Sequence, residues 1–145
     1  MRYSGFIWII VLCLACSASP VLAGEQSDSQ LGEQLVRKVW ADMKNTDVGH
    51  LEGIVADGFQ SVHDFGANDW RQELRLIKAL KLGPYTLSGF RVTRDGPVMI
   101  ATYMVSVDET IHGHRLHRKP APRMSVFLLT KDGWKWIAHA NLKPM

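Results

Sequence analysis

The sequence predicts a single α+β domain, with helices in its first half and a mostly antiparallel sheet in its second half. Its 145 residues are a one-domain length. Apolar residues recur every three or four positions between residues 31 and 43, which is the period of an amphipathic helix. From Tyr85 onward they occupy alternate positions, and short Gly-containing turns separate the runs. Helices that precede strands in this way are typical of helices packed on one face of an antiparallel sheet.

The N-terminal segment has the pattern of a secretory signal peptide. Arg2 gives it a positive start, residues 6–15 form an uninterrupted apolar run, and Val-Leu-Ala at 21–23 fits a cleavage site before Gly24. The run is shorter than the roughly 20 residues that a membrane-spanning helix needs. We therefore expect residues 1–23 to be removed, the domain to be secreted or periplasmic in a bacterium, and no stable membrane insertion after cleavage. An uncleaved N-terminal anchor is the alternative.

Composition excludes two classes of function for the mature domain. Both cysteines, Cys13 and Cys16, lie within the signal segment, so the domain itself has no thiol for catalysis or for a disulfide. Without Arg2 the formal net charge falls from +3 to +2. A dedicated nucleic-acid-binding domain carries a stronger basic stripe, so we expect no nucleic-acid partner.

Three helical segments are predicted after a flexible tail at residues 24–30. The first begins near Ser29 and has an apolar stripe at every fourth position. Asp47 is the predicted N-cap of a short second helix that ends at residues 57–58. Asn68 is the predicted N-cap of the third helix, which Gly83 and the proline after it bring to an end. The residues predicted to face the core from the third helix are Trp70, Leu74 and Ile77.

Five strands are predicted from period-two alternation, at residues 59–63, 85–94, 98–107, 123–130 and 134–141. Asp-Gly pairs at 95–96 and 132–133 mark hairpin turns between the later strands. The strand at 98–107 is the most apolar, so we expect it to be central in the sheet. On the first strand, Phe59, Ser61 and His63 share one face.

The order of these elements resembles the nuclear-transport-factor-2-like superfamily, and most closely its SnoaL-like branch of secreted proteins. The resemblance rests on the segments at residues 45–47, 51–59 and 62–66, and on the closing sequence KDGWKWIAH at 131–139. It implies a cone-shaped, strongly curved sheet within a domain at 31–145. It also implies three N-terminal helical segments on the concave face, a pocket at the open end, and pairing into homodimers through the sheet.

His63, Asp64 and His139 are the candidate catalytic residues. In the isomerase branch of the superfamily that this chain resembles, an aspartate in the region of Asp64 acts as the general base. A histidine, or an aspartate whose pKa an apolar site raises, could move a proton next to a carbonyl. The chain departs from that branch because it lacks the tyrosine on the first helix and the carboxylic acid on a central strand. Asp64 could equally serve the turn alone.

Aromatic residues on the helices and the first strand are the candidate walls of a ligand pocket, although packing in the core is the alternative for each. Arg123 opens an apolar strand, so its side chain can reach inward and pair with a carboxylate of a ligand or of the protein. The full set of candidate ligand-binding residues is Trp40, Phe59, Trp70, Tyr103, Met104 and Arg123.

Metal ions and cofactors are not predicted. His63 and His139 could together bind a metal, but the sequence supplies no third ligand by its spacing. The segment at residues 112–119 contains three histidines and several basic residues, which could attract a metal or an anion or form a solvated hairpin tip.

Three functions fit these observations. The first is the binding of a small organic ligand in an apolar cone-shaped pocket. The second is a proton-transfer enzyme (an isomerase, cyclase or dehydratase) that uses His63 or Asp64. The third is a dimeric interaction module. Converging ionisable groups in a closed pocket would favour the enzyme, an all-apolar pocket would favour binding, and an apolar exposed sheet face would favour the interaction module.

Overall fold

The computed structural model describes residues 26–111, 114–115 and 118–143 of the chain. It confirms the α+β class, with helices packed on one face of a curved, mostly antiparallel sheet. The elements in chain order are α1 (Asp28–Asn45), α2 (Val48–Ile54), β1 (Val55–His63), β2 (Gly66–Asp69), α3 (Trp70–Ala79), β3 (Leu80–Asp95), β4 (Val98–Ile111), β5 (His114–Arg115), β6 (Ala121–Thr130) and β7 (Gly133–Asn141).

The strands follow the order β2-β1-β7-β6-β4-β3, and β5 pairs with β4 outside this path. Every pair is antiparallel except β1 with β7, which is parallel. The prediction that the strand at 98–107 is central was wrong, because β4 lies second from the β3 edge. Its inner face is buried beneath α1, so burial here does not indicate a central place.

Polar side chains define the helix ends. The Ser27 hydroxyl accepts a hydrogen bond from Gln30 N, and the Gln30 side chain accepts one from Ser27 N, which together form a capping box. Helix α1 therefore begins within the stretch expected to be a flexible tail. It ends at Thr46, whose φ of 54° is left-handed. Asp47 caps α2, as predicted, by accepting a hydrogen bond from His50 N.

The start of α3 differs from the prediction. Asp69 is the N-cap, because its carboxylate accepts from Gln72 N and the Gln72 side chain accepts from Asp69 N. Asn68 belongs instead to β2, a short strand that the sequence analysis missed. The helix ends at Ala79, before Gly83, because Leu80 already has extended backbone and begins β3.

The core lies between the helices and the inner face of the sheet. Helix α1 packs closely against β3 at Gly32, where a Cβ atom would lie 2.5 Å from a methyl group of Val92. Aromatic rings fill the centre: Phe59 lies 4.7 Å from Trp136 and 5.8 Å from Trp70, measured between ring centroids. Among the described residues, no helix is long and apolar enough to cross a membrane.

Candidate functional site

A cavity of about 40 Å³ lies inside the cone, between α1, α3 and the C-terminal ends of β1 and β7. One wall is apolar and comes from the two helices and the start of β3. The other wall is polar and comes mainly from the sheet. The lining residues are Trp40, Met43, Leu76, Ile77 and Leu80 on the apolar side, and His63, Glu73, Arg123, His139 and Asn141 on the polar side.

Glu73 organises one end of the cavity. Helix α3 places this glutamate over the inner face of β1, where it is only 4% exposed. One carboxylate oxygen, Oε2, accepts three hydrogen bonds: from Ser61 Oγ at 2.7 Å, from His63 Nε2 at 2.8 Å and from Asn68 Nδ2 at 3.2 Å. Burial opposes the charge of this carboxylate, but the bonds from His63, Ser61 and Asn68 outweigh it and lower the pKa of Glu73. The carboxylate is therefore ionised in the folded domain.

The bond to Glu73 fixes the protonation of one nitrogen of His63. An ionised carboxylate can only accept, so the His63 Nε2 atom must carry a proton. In a neutral imidazole this leaves Nδ1 as the nitrogen that can accept a proton. The His63 ring is 6% exposed and stacks against Phe65, with the ring centroids 4.9 Å apart.

His139 faces the same cavity from β7, with its ring centroid 6.4 Å from that of His63. The register of β6 and β7 shifts between Val126 and Phe127, so Trp136 and His139, three residues apart, both point inward. Burial lowers the pKa of His139 to about 4, and the positive charge of Arg123 acts in the same direction. The charge of Glu73 raises this pKa but does not compensate. His139 is therefore neutral at pH 7.

A chain of buried hydrogen bonds connects His139 to α1. Trp40 Nε1 donates to the Tyr103 hydroxyl at 3.0 Å, this hydroxyl is 3.1 Å from Ser125 Oγ, and Ser125 Oγ is 3.3 Å from His139 Nδ1. Burial raises the pKa of Tyr103, which keeps its hydroxyl protonated. The chain thus links α1, β4, β6 and β7 through side chains alone.

Arg123 reaches inward from β6, and its side chain is buried beside the cavity. Its Nη1 atom donates to the carbonyl oxygens of Pro122 at 3.1 Å and Leu142 at 2.8 Å. These bonds anchor the guanidinium at the strand ends, where Asn141 is its register partner on β7.

Asp64 lies outside the cavity. Its exposed carboxylate forms an ion pair with Lys143 Nζ at 2.9 Å, and that hydrogen bond lowers the pKa of Asp64. The structure brings His63 and His139 together across the cavity, as the sequence analysis allowed, but it does not bring Asp64 to them.

Only some of the residues that the sequence analysis named as pocket walls line the cavity. Trp40 lines the cavity, and Tyr103 lies behind it in the hydrogen-bond chain. Phe59 and Trp70 pack in the core beside Trp136. Met104 points to the outer face of the sheet and lines a groove there.

Sequence analysis did not name several polar residues of this site, among them Ser61, Glu73, Ser125 and Asn141. A signal existed for Glu73, since it lies three positions after Trp70 and four before Ile77, on the face that the helical period assigns to the core. A glutamate on such a face needs a buried partner.

No metal site is found in the described part of the chain, where no three His, Cys, Asp or Glu side chains are grouped to hold an ion. His112 and His117, from the predicted basic loop, lie outside the described residues, and the structure describes only the backbone of His114.

Neither a protein-family model nor a curated protein sequence matches the chain. Solved structures do match. An NTF2-like protein from Cytophaga hutchinsonii superposes with a TM-score of 0.75 at 15% identity, over 81% of this chain and 99% of that one. An NTF2-like protein of unknown function in nutrient uptake from Rhodospirillum rubrum gives 0.71 at 21% identity, over 82% and 100%.

A third similar structure is the CaMKII hub of S. rosetta, with a TM-score of 0.62 at 13% identity, over 79% of this chain and 95% of that one. At these identities the similarity concerns the fold. The curved, mostly antiparallel sheet and the three helices described above agree with it. The chain therefore has the fold of the nuclear-transport-factor-2-like proteins.

Proposed function

We propose that this domain binds a small molecule in the cavity between α3 and the ends of β6 and β7. The observation that carries the proposal is the convergence of His63, Glu73, Arg123 and His139 on one small interior space. Four buried ionisable side chains are unfavourable for stability unless each finds compensation, and apolar side chains would fill the same space more favourably. Such a cluster at a cavity is typical of a functional site.

The cavity is far smaller than the roughly 300–1,000 Å³ of drug-sized ligand sites. A volume of about 40 Å³ admits a compact ligand of few atoms. A mixed wall also differs from the apolar pocket expected from the sequence, and the ionisable groups that converge on it are the feature that the sequence analysis associated with an enzyme. The ligand should therefore have a polar end that faces β6 and β7 and a small apolar end that faces α3.

A thermal-shift screen tests this proposal. Small acids, amides, alcohols and ketones would be added to the purified domain, and to a Leu80→Trp variant whose larger side chain fills the cavity from the apolar wall. A ligand at a hundred times its Kd should stabilise the domain by about 2.7 kcal/mol. The proposal predicts a ligand that shifts the melting temperature of the wild type and not of Leu80→Trp. Equal shifts in both proteins, or none from any class of compound, would contradict it.

A second candidate function, proton transfer on the bound molecule, is favoured by the bond between Glu73 and His63. A carboxylate that holds one imidazole nitrogen protonated leaves the other as a base, which is the arrangement used in hydrolytic triads. Exchange of ligand C–H protons with deuterated water, followed by NMR, tests this function. His63→Gln should abolish the exchange and Asp64→Asn should leave it unchanged, since Asp64 lies outside the cavity. Exchange that survives His63→Gln would exclude His63 as the base.

A second copy of the chain is the partner that we propose for the outer face of the sheet. Val62, Ala140 and Met124 lie side by side on β1, β7 and β6, and Val126 and Ile100 extend the apolar surface. Beside it, Met104, Pro122, Met124 and Leu142 help to line a groove of about 380 Å³. Sedimentation analysis should show a dimer that Met124→Glu dissociates. A monomer at high protein concentration would contradict the proposal.

A further inference from the structure

The two oxygens of the Glu73 carboxylate are used unequally. Oε2 accepts the hydrogen bonds from Ser61, His63 and Asn68. Among the described residues no group donates to Oε1, yet this atom keeps some accessible surface. Because Glu73 is almost completely buried and lines the cavity, that surface faces the cavity. An ionised carboxylate oxygen can only accept, so Oε1 is an acceptor available to a ligand there.

Asn141 supplies a second polar group to the same space. It lies two positions after His139 on β7, so both side chains are on the inner face of the sheet, and both line the cavity. Within residues 26–111, 114–115 and 118–143, the side-chain amide of Asn141 has no hydrogen-bond partner. Its nitrogen can therefore donate to a ligand, and its oxygen can accept.

The charges at the cavity favour a neutral ligand. One permanent cation, Arg123, and one ionised carboxylate, Glu73, line the same space. A ligand carboxylate would bring only acceptors to Oε1, which itself only accepts. A ligand ammonium group could donate to Oε1, but it offers no acceptor to Asn141, and a buried ion costs more to desolvate than a neutral group. A neutral molecule with one donor and one acceptor avoids both mismatches.

We propose, building on the binding function proposed above, that the ligand is a small primary amide, whose N–H group donates to Glu73 Oε1 and whose carbonyl oxygen accepts from the side chain of Asn141. The alkyl end of this amide lies against Met43, Leu76 and Leu80, which offer only apolar surface. Glu73 and Asn141 are then the residues that determine specificity, because one requires a donor on the ligand and the other an acceptor.

The first experiment compares three molecules of nearly the same shape. Acetamide, acetone and acetate share a methyl group on a carbonyl carbon and differ in one substituent, which is an amino group, a second methyl group or a second oxygen. Only acetamide has a hydrogen-bond donor. In NMR titrations of the purified, nitrogen-15-labelled protein, acetamide should bind about tenfold more tightly than acetone or acetate. If acetone or acetate binds as tightly as acetamide, the amide class is wrong while the binding function stands. If no compound of any class binds, both fail.

The second experiment uses Glu73→Gln, which exchanges one acceptor for a donor. Ser61, His63 and Asn68 still need an acceptor, so the new amide oxygen takes the place of Oε2 and the amide nitrogen takes the place of Oε1. The cavity then presents a donor to the ligand, and the preference for acetamide over acetone should disappear. A merely structural role of Glu73 would weaken the binding of both molecules alike and keep the preference, which would overturn the assigned contact.

Asn141→Leu is the matched variant, because leucine has the same branched shape without the polar atoms. The carbonyl contact is common to acetamide and acetone, so both should bind about tenfold more weakly while the preference for acetamide remains. Unchanged affinities in this variant would overturn the role of Asn141. The comparison of the three molecules on the wild type needs neither variant, so it tests the ligand class even if Glu73→Gln fails to fold.

Discussion

Glu73 on α3 accepts a hydrogen bond from His63 Nε2 on β1 at 2.8 Å, and both side chains are almost completely buried. This bond joins the helix to the sheet at the edge of the cavity. It also requires a proton on Nε2 of His63, so the same contact has a structural and a functional consequence.

Removal of the Glu73 carboxylate should be strongly destabilising. Glu73→Ala leaves the donors of Ser61, His63 and Asn68 without their common acceptor, and each buried polar group left unsatisfied typically costs about 1–3 kcal/mol. The free energy of unfolding from urea titration measures this loss. Glu33→Ala is the matched control, because its ion pair with Arg37 is exposed and should contribute less than about 1 kcal/mol. Equal losses in the two variants would contradict the assigned role of Glu73.

His139 should make the stability of the domain depend on pH between about 4 and 6.5. Its pKa is lower in the folded than in the unfolded state, so the unfolded state binds more protons in this range and stability falls as the pH falls. The neutral, buried His139 side chain accounts for about 3 kcal/mol of stability that is lost as the pH falls from 6.5 to about 4. Above pH 6.5 this stability is fully present. Glu73 adds a further loss only below its ordinary pKa of 4.5.

His139→Gln should remove most of this pH dependence between pH 4.5 and 6.5. Urea titrations at several pH values would give the slope for each protein. An unchanged slope in the variant would show that His139 is not the group responsible.

Trp40 should contribute to stability through both its ring and its N–H group. Trp40→Ala should cost about 3–5 kcal/mol, since the ring is buried between α1 and the sheet. Trp40→Phe keeps most of the apolar contact and loses the bond to Tyr103, so about 1 kcal/mol is expected. Phe65→Ala is the control, because Phe65 is 64% exposed and its loss should change the free energy of unfolding little. A loss below about 1 kcal/mol for Trp40→Ala would contradict burial of the ring.

The signal peptide expected from the sequence leads to a prediction about processing. When the whole chain is expressed in a bacterium, the exported protein should begin at Gly24, because the Val-Leu-Ala sequence fits the signal peptidase specificity. Mass spectrometry of the periplasmic or secreted fraction measures this directly. Retention of residues 1–23 in that fraction would contradict cleavage and support the anchor alternative.

Much of the fold could be predicted because it depends on local patterns. The four-residue period of α1, the capping role of Asp47 and the Asp-Gly hairpin turns are properties of neighbouring residues, and the structure confirms them. The N-cap of α3 was misassigned between two adjacent capping residues. Gln72 lies three positions after Asp69, and this capping-box spacing would have indicated the correct one.

The site depends more than the fold does on contacts between elements that are distant in the sequence. The inward position of His139 results from a register shift between β6 and β7, which no alternation rule applied to β7 alone can include. The partners of Glu73 come from β1 and β2, and β2 itself was missed because its four residues, Gly-Ala-Asn-Asp, show no apolar alternation. The sequence could therefore name His63 and His139 but not the carboxylate that pairs with one of them.

The most direct test of the cavity as the ligand site is a crystal structure of the domain with the best compound from the thermal-shift screen. Our account predicts that the compound lies between α3 and the ends of β6 and β7, with its polar group within hydrogen-bond distance of His139, His63 or Arg123. A compound bound at saturating concentration on the outer face of the sheet, with the cavity holding only water, would contradict the central claim.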